Sequence, residues 1–199
     1  ITASNCMPCH SASSHAATGV NMFIPDTTSP NKKGWNVSPY GEWQGSMMGL
    51  AGRDPIFFAQ LESEKAIHHQ DTLPNFIQNT CLSCHGVMGE RQFHVDNKGD
   101  HFKEEMMYAK GEDEWEMYGG LGRDGISCMV CHQIVDDDKP LMDIVTGKFT
   151  VSTPGEFGQE DGKDISYVWG PYQTDEIVQH PMKEGLGIRP KFNPYIKES

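Results

Sequence analysis

Apolar positions along this chain come in short bursts rather than in long periodic runs. The clearest burst follows Asp54 and Pro55, where Ile56, Phe57, Ala59 or Gln60 and Leu61 stand at mixed helical spacing. An acceptor side chain followed by proline at the first helical position marks a helix start, so a helix is predicted here that carries His68 and His69 at its C-terminal end. A shorter helix is predicted over residues 74–85, PNFIQNTCLSCH, ending near Gly86. Residues 101–118 are helical in composition, with Gly111 as a break. Residues 173–185 predict a helix that starts near Thr174 or Asp175 and is disturbed by Pro181. Residues 21–43 are rich in Pro, Gly, Ser and Asn and read as an irregular wrapping loop, while residues 142–152, MDIVTGKFTVS, read as a small β-hairpin turning at Gly147 and Lys148. The predicted fold class is mainly α, with extensive irregular coil and a minor β-hairpin, in a single domain over residues 1–199.

Composition changes this picture in one respect. Only 37% of the 199 residues are hydrophobic and the mean hydropathy is −0.55. That is too little apolar material for a large conventional core, so another buried group is expected to help fill it. No apolar run reaches the length of a membrane span, and the first residues, ITASNC, lack the zones of a signal peptide. The chain therefore reads as soluble, already processed and without an integral membrane segment. A net charge of −12 excludes nucleic acid as an expected partner, because phosphate backbones require basic patches. It suits either a plain solvated surface or docking to basic partners.

The cysteines supply the chemistry. All six fall into three copies of one pattern: CMPCH (Cys6, Cys9, His10), CLSCH (Cys81, Cys84, His85) and CMVCH (Cys128, Cys131, His132). C-x-x-C-H is the attachment signature of c-type haem. Two thiols about one helical turn apart reach the two vinyl groups of a porphyrin, and the next residue's imidazole lies under the iron as its proximal ligand. Disulfides would explain an even cysteine count, but not a histidine after every second cysteine. Zinc sites do not divide three pairs evenly and need no Cys-His adjacency, and thioredoxin-type motifs need neither the repetition nor the histidine. Three haem c groups are expected, with thioethers in place of a disulfide framework. Their large apolar faces supply the missing core.

What each iron does depends on its second axial ligand: two strong ligands make an electron carrier, and an open position permits substrate chemistry. Six histidines remain beyond the motifs. His180 sits beside Pro181 on a helix, His69 and His68 point in different directions at a helix end, and His101 and His94 lie in the loop and helix start between the second and third motifs. The expected order of candidates is His180, His69, His101, His94, His68. His15 follows His10 too closely to reach the opposite face of the same iron. As a ligand it would serve another haem, in this chain or in a neighbouring subunit; otherwise it is an exposed histidine in a Ser and Ala stretch. Met47 and Met48 are the thioether candidates, against the alternative that methionines fill gaps in cores.

The segments YGEWQGSMMGLAGRDPIFFAQL, CLSCHG and GRDGISCMVCH resemble a family of multihaem c-type cytochromes of respiring bacteria and archaea, over roughly residues 40–132. In that family a Trp-x-x-Ser-Met-Met segment and an Arg-Asp-Pro-x-Phe helix lie between successive haem motifs. The resemblance implies a haem-packed, largely irregular fold and an electron-transfer role, and it places Met47 or Met48 in a haem pocket. The final thirty residues look like a stretch that leads, in such proteins, into a further haem motif, which points to a piece of a larger cytochrome.

The leading expectation is therefore electron transfer by a trihaem cytochrome rather than enzymatic catalysis, in the periplasm or at the cell surface, where covalent haem attachment takes place. Its partners would be redox proteins or neighbouring cytochrome subunits. One alternative is a polymer of the same chain, a haem wire in which one protomer completes a haem of the next. Another is a reductase with one open haem, whose anion-binding groups would be Arg53, Arg91 and Arg123, though salt bridging of these arginines to propionates or acidic side chains is preferred. The run DDDK, residues 136–139, reads as a solvated turn rather than a calcium site.

Overall fold

The structure, a computed structural model, describes residues 1–12, 22–26, 28, 34–68, 75–97, 99–135, 137–152, 159, 160, 162–164 and 166–193. The chain packs as two compact units, Ile1–Ser127 and Cys128–Ser199. The described residues form ten α-helices with small two-stranded sheets, so the chain is mainly α with a minor hairpin.

In the first unit, helix α1 (Ala3–His10) leads to a hairpin of strands β1 (Phe23–Pro25) and β2 (Gly34–Asn36), paired antiparallel with Ile24 opposite Trp35. Helices α2 (Pro39–Gln44) and α3 (Met47–Leu50) are both short and serine-capped: the Ser38 hydroxyl accepts from Gly41 N–H and the Ser46 hydroxyl from Gly49 N–H. The wrapping loop expected over residues 21–43 is thus corrected. Its Ser-Pro pair starts a helix, and Phe23–Pro25 pairs antiparallel with Gly34–Asn36.

Helix α4 (Pro55–Ile67) starts as its sequence predicts, with the Asp54 carboxylate accepting from Ile56 N–H and Pro55 in the first turn. Helices α5 (Phe76–His85) and α6 (Val87–Asp96) follow almost without interruption, joined at Gly86. A 3-10 segment (Glu104–Tyr108) and helix α7 (Glu116–Arg123) complete the unit. The helix expected over residues 101–118 is broken at Gly111, whose φ is +70°, and its first half is 3-10 rather than α. Met106 and Met107 are both buried, as is Phe102, and this tight turn puts the two adjacent methionines into the core together.

Leu61, Leu82, Phe93, Phe102, Met106 and Met107 form the core of this unit. Helices α6 and α7 cross where only glycine fits: a Cβ on Gly89 would collide with the Tyr118 carbonyl oxygen and lie 2.8 Å from Gly122 N. Beside the core, a buried polar knot ties α4 and α5 to the 3-10 segment. Glu104 pairs with Lys65 at 3.0 Å and accepts from the Tyr108 hydroxyl at 3.0 Å, while Gln78 accepts from Glu104 N–H at 3.1 Å.

The second unit begins with helix α8 (Cys128–His132), followed by α9 (Leu141–Val145). The hairpin expected at 142–152 is not formed. Its first half is α9, and its second half pairs with the chain after α8: Val135 N–H donates to Thr150 O and Ser152 N–H to Gln133 O, around an Ile134–Val151 bridge. Strands β3 (Gln159–Glu160) and β4 (Lys163–Asp164) make the hairpin of this unit. Strand β5 (Ser166–Gly170), helix α10 (Glu176–Leu186) and strand β6 (Ile188–Phe192) form a β-α-β unit, with β5 and β6 parallel and Val168 opposite Pro190. Asp175 caps α10 by accepting from Val178 N–H, Pro181 lies inside it, and Gly187 ends it with a φ of +68°. No helix among the described residues is long and apolar enough to cross a membrane.

Candidate functional site

Each C-x-x-C-H motif lies on a helix, and each of these helices ends on the motif's histidine: α1 on His10, α5 on His85, α8 on His132. Helical geometry sets the two cysteines of each motif one turn apart on the same face. No disulfide joins any of the six cysteines. Cys6, Cys81, Cys84 and Cys128 are half-buried, and Cys9 and Cys131 are exposed. Burial pushes the Cys81 thiol up, with Glu64 and Cys84 adding to the effect.

The first motif is held in the unit by its helix start. Ala3 N–H donates to the Asp124 carboxylate at 2.8 Å, and Thr2 N–H donates to Asn5 Oδ1 at 3.0 Å. His10 is exposed at the end of α1.

The second motif is the most enclosed. His85 Nδ1 lies 3.1 Å from the Ala51 carbonyl oxygen, and its ring stacks on Phe57 at 3.6 Å with the planes 1° apart. In the third motif His132 Nδ1 lies 2.5 Å from the Trp169 carbonyl oxygen on β5. A carbonyl only accepts, so in both rings Nδ1 carries the proton and Nε2 keeps its lone pair. This is the tautomer that binds a metal through Nε2, with the carbonyl as outer partner fixing the ring. The residues present therefore fit haem c: paired thiols at one-turn spacing, a histidine beside them, and in two motifs the nitrogen pointed away from the carbonyl ready to donate. Ala51, Phe57 and Trp169 were missed by sequence reasoning. Phe57 stood in the Asp-Pro-x-Phe segment, but nothing in the sequence pairs it with His85, and a carbonyl partner leaves no residue-type signal at all.

The proposed sixth ligands separate. His15 and His69 lie outside the described residues. His68 is exposed at the end of α4, with Nε2 paired to Glu64 at 3.0 Å. His94 is not in a loop: it lies on α6, its Nδ1 2.9 Å from Glu90 O and 3.2 Å from Glu90 Oε1. Burial pushes the Glu90 carboxyl up, while His94 and Arg91 pull it the other way. His101 is exposed, with Nδ1 2.8 Å from Asn79 Nδ2. His180 is exposed on α10. Met47 is 83% exposed and Met48 49%, so neither thioether is enclosed by the protein itself.

The Trp-x-x-Ser-Met-Met segment has a structural task. Trp43 Nε1 donates to Ile126 O at 2.8 Å, and Ile126 N–H donates to Met48 O at 3.0 Å, so the segment clasps the loop just before the third motif. Of the arginines, Arg123 donates to Met107 O and Ala109 O, both at 2.7 Å, and pairs with Glu116, while Arg53 donates to Gly49 O at 2.9 Å. Arg91 is half-buried on α6. Arg53 and Arg123 also edge a cavity of about 450 Å³ lined chiefly by Pro55, Phe58, Ala59 and Met107. In the acidic run, Asp136 lies outside the described residues, and Asp137 pairs with Lys139 at 3.0 Å and accepts from the Thr150 hydroxyl at 2.6 Å. Among the described residues no group of three His, Cys, Asp or Glu side chains is arranged to hold a metal ion by itself.

No protein-family model matches the chain, and no curated protein or solved structure matches it.

Proposed function

We propose that this protein is a trihaem c-type cytochrome that carries electrons between redox partners outside the cytoplasm. The observation that carries the reading is the set of three C-x-x-C-H motifs that consume every cysteine, each at the end of a helix with its histidine last. When bound, haem c supplies one-electron exchange between ferric and ferrous iron. The chain's own residues do the rest. Cys6 with Cys9, Cys81 with Cys84 and Cys128 with Cys131 hold three macrocycles by thioether bonds, and His10, His85 and His132 take the proximal positions. Ala51 and Trp169 keep the His85 and His132 protons on Nδ1, so that the lone pair of each imidazole stays on Nε2. The flat apolar faces of the groups supplement a protein core that is small for the chain length.

The acidic surface, with a net charge of −12, suits basic redox partners. The reductase alternative has less support, because Arg123 spends its guanidinium on two backbone carbonyls and Glu116 rather than presenting it to an anion.

Mass spectrometry of the chain produced with the haem-attachment machinery tests the reading. Three covalent haems are expected, each lost when both cysteines of its motif are replaced by serine. A chain of unmodified mass, or one that binds zinc in place of haem, overturns it. Ferrous spectra with and without carbon monoxide then separate a carrier, with low-spin irons throughout, from a reductase with one reactive iron.

A further inference from the structure

We infer that His94 is the sixth ligand of one of the haem irons, an assignment that rests on the cytochrome reading above. An iron-binding imidazole donates from Nε2 and keeps its proton on Nδ1, and the two enclosed motif histidines show that state through their carbonyl partners, Ala51 and Trp169. Among the described histidines outside the motifs, His94 shares it. Its Nδ1 is 2.9 Å from the Glu90 carbonyl oxygen and 3.2 Å from a Glu90 carboxylate oxygen, so the proton is held on that side twice over. Nε2 is left with its lone pair, and the side chain is 36% exposed, which leaves the ring approachable. The scaffold is firm as well: α6 follows the second motif helix across Gly86, the neighbouring Phe93 is fully buried, and the Gly89 crossing fixes α6 against α7.

The other described histidines have different bonding. His68 engages Nε2 itself, the nitrogen an iron would need, in its ion pair with Glu64. His101 faces the amide nitrogen of Asn79, which donates, so its Nδ1 accepts and the proton sits on Nε2. Among the described residues Asn79 Oδ1 is buried without a partner, and a half-turn of that amide would reverse the arrangement, which makes His101 the competitor to exclude. His180 has no ring hydrogen bond among the described residues and is exposed on α10, so nothing fixes its tautomer.

The test uses the haem-loaded chain and the variants H94A, H94M, H101A and H68A. Haem count by mass comes first, then oxidised and reduced spectra into the near infrared. H94A is expected to retain three haems while about a third of the iron becomes high-spin and binds carbon monoxide when reduced, with added imidazole restoring the low-spin form. H94M guards against misfolding: it should keep six-coordination but move about a third of the near-infrared intensity from the His/His to the His/Met position. H101A and H68A should leave every iron low-spin. Three low-spin haems with unchanged near-infrared bands in H94A, or a high-spin fraction in H101A instead, overturns the assignment while leaving the cytochrome reading intact. A wild-type chain without haem overturns both.

Discussion

At Tyr108 a single hydroxyl links the buried ion pair to the pH response of the first unit. Desolvation, and after it the Glu104 carboxylate that accepts its hydrogen bond, push the phenol up from 10.0 to about 12. The folded chain therefore holds this proton more tightly than the unfolded one. The stability so gained is fully present below about pH 10 and is lost as the pH rises through about 12. Tyr108→Phe should remove that part of the decline: urea midpoints between pH 9 and pH 12 should fall less steeply in the variant than in the parent. Parallel slopes would show that the folded chain does not hold the Tyr108 proton more tightly than the unfolded one. The same reasoning about which atom carries a proton distinguishes His94 from His68 and His101, although all three are histidines in polar stretches of similar composition.

At the scale of elements, α6 and α7 depend on the absence of a side chain. Gly89 sits in the first turn of α6, where helix propensity alone would favour alanine. Propensity loses here to packing, since a Cβ would strike the Tyr118 carbonyl and lie 2.8 Å from Gly122 N and 3.1 Å from its Cα. These are backbone atoms of the facing helix, which have no rotamer to change. Gly89→Ala should destabilise the fold by about 1–3 kcal/mol, read as a lower denaturant midpoint at unchanged slope. A stabilised variant would mean that the two helices separate easily. Because α6 carries His94, the same variant should disturb the spectrum of one haem if the ligand assignment holds.

For the molecule as a whole, the cluster of buried apolar residues found among the described residues lies in the first unit. The first has a continuous cluster of Leu, Phe and Met residues on α4, α5, α6 and the 3-10 segment. In the second, the buried apolar residues among those described are Met129, Val130, Phe149, Val168 and Ile188. None of these belongs to the cluster of the first unit, so on the cytochrome reading a bound haem would add to the stability of this unit by mass action. Limited proteolysis of the chain made without haem attachment should cut within residues 128–199 first, with protection restored in the haem-loaded chain. Equal resistance with and without haem would mean that the second unit is stable on its own side chains.

The sequence by itself determined what depends on neighbours a few residues apart. Asp54 and Pro55 start α4, Asp175 starts α10, and each C-x-x-C-H motif fixes the types and spacing of the groups that would hold a haem, because caps and one-turn spacings are complete within a single helical turn. Tertiary structure decided the pairings. The hairpin read into residues 142–152 lost to a bridge between Val151 and Ile134, and the parallel strands β5 and β6 meet only because α10 returns the chain beside its own start. Ala51 lies 34 residues from His85, and Trp169 lies 37 from His132. Both act through a backbone oxygen that every residue possesses. No residue type marks such a partner, so the ring nitrogen left free by each carbonyl became legible only once the chain had folded back on itself.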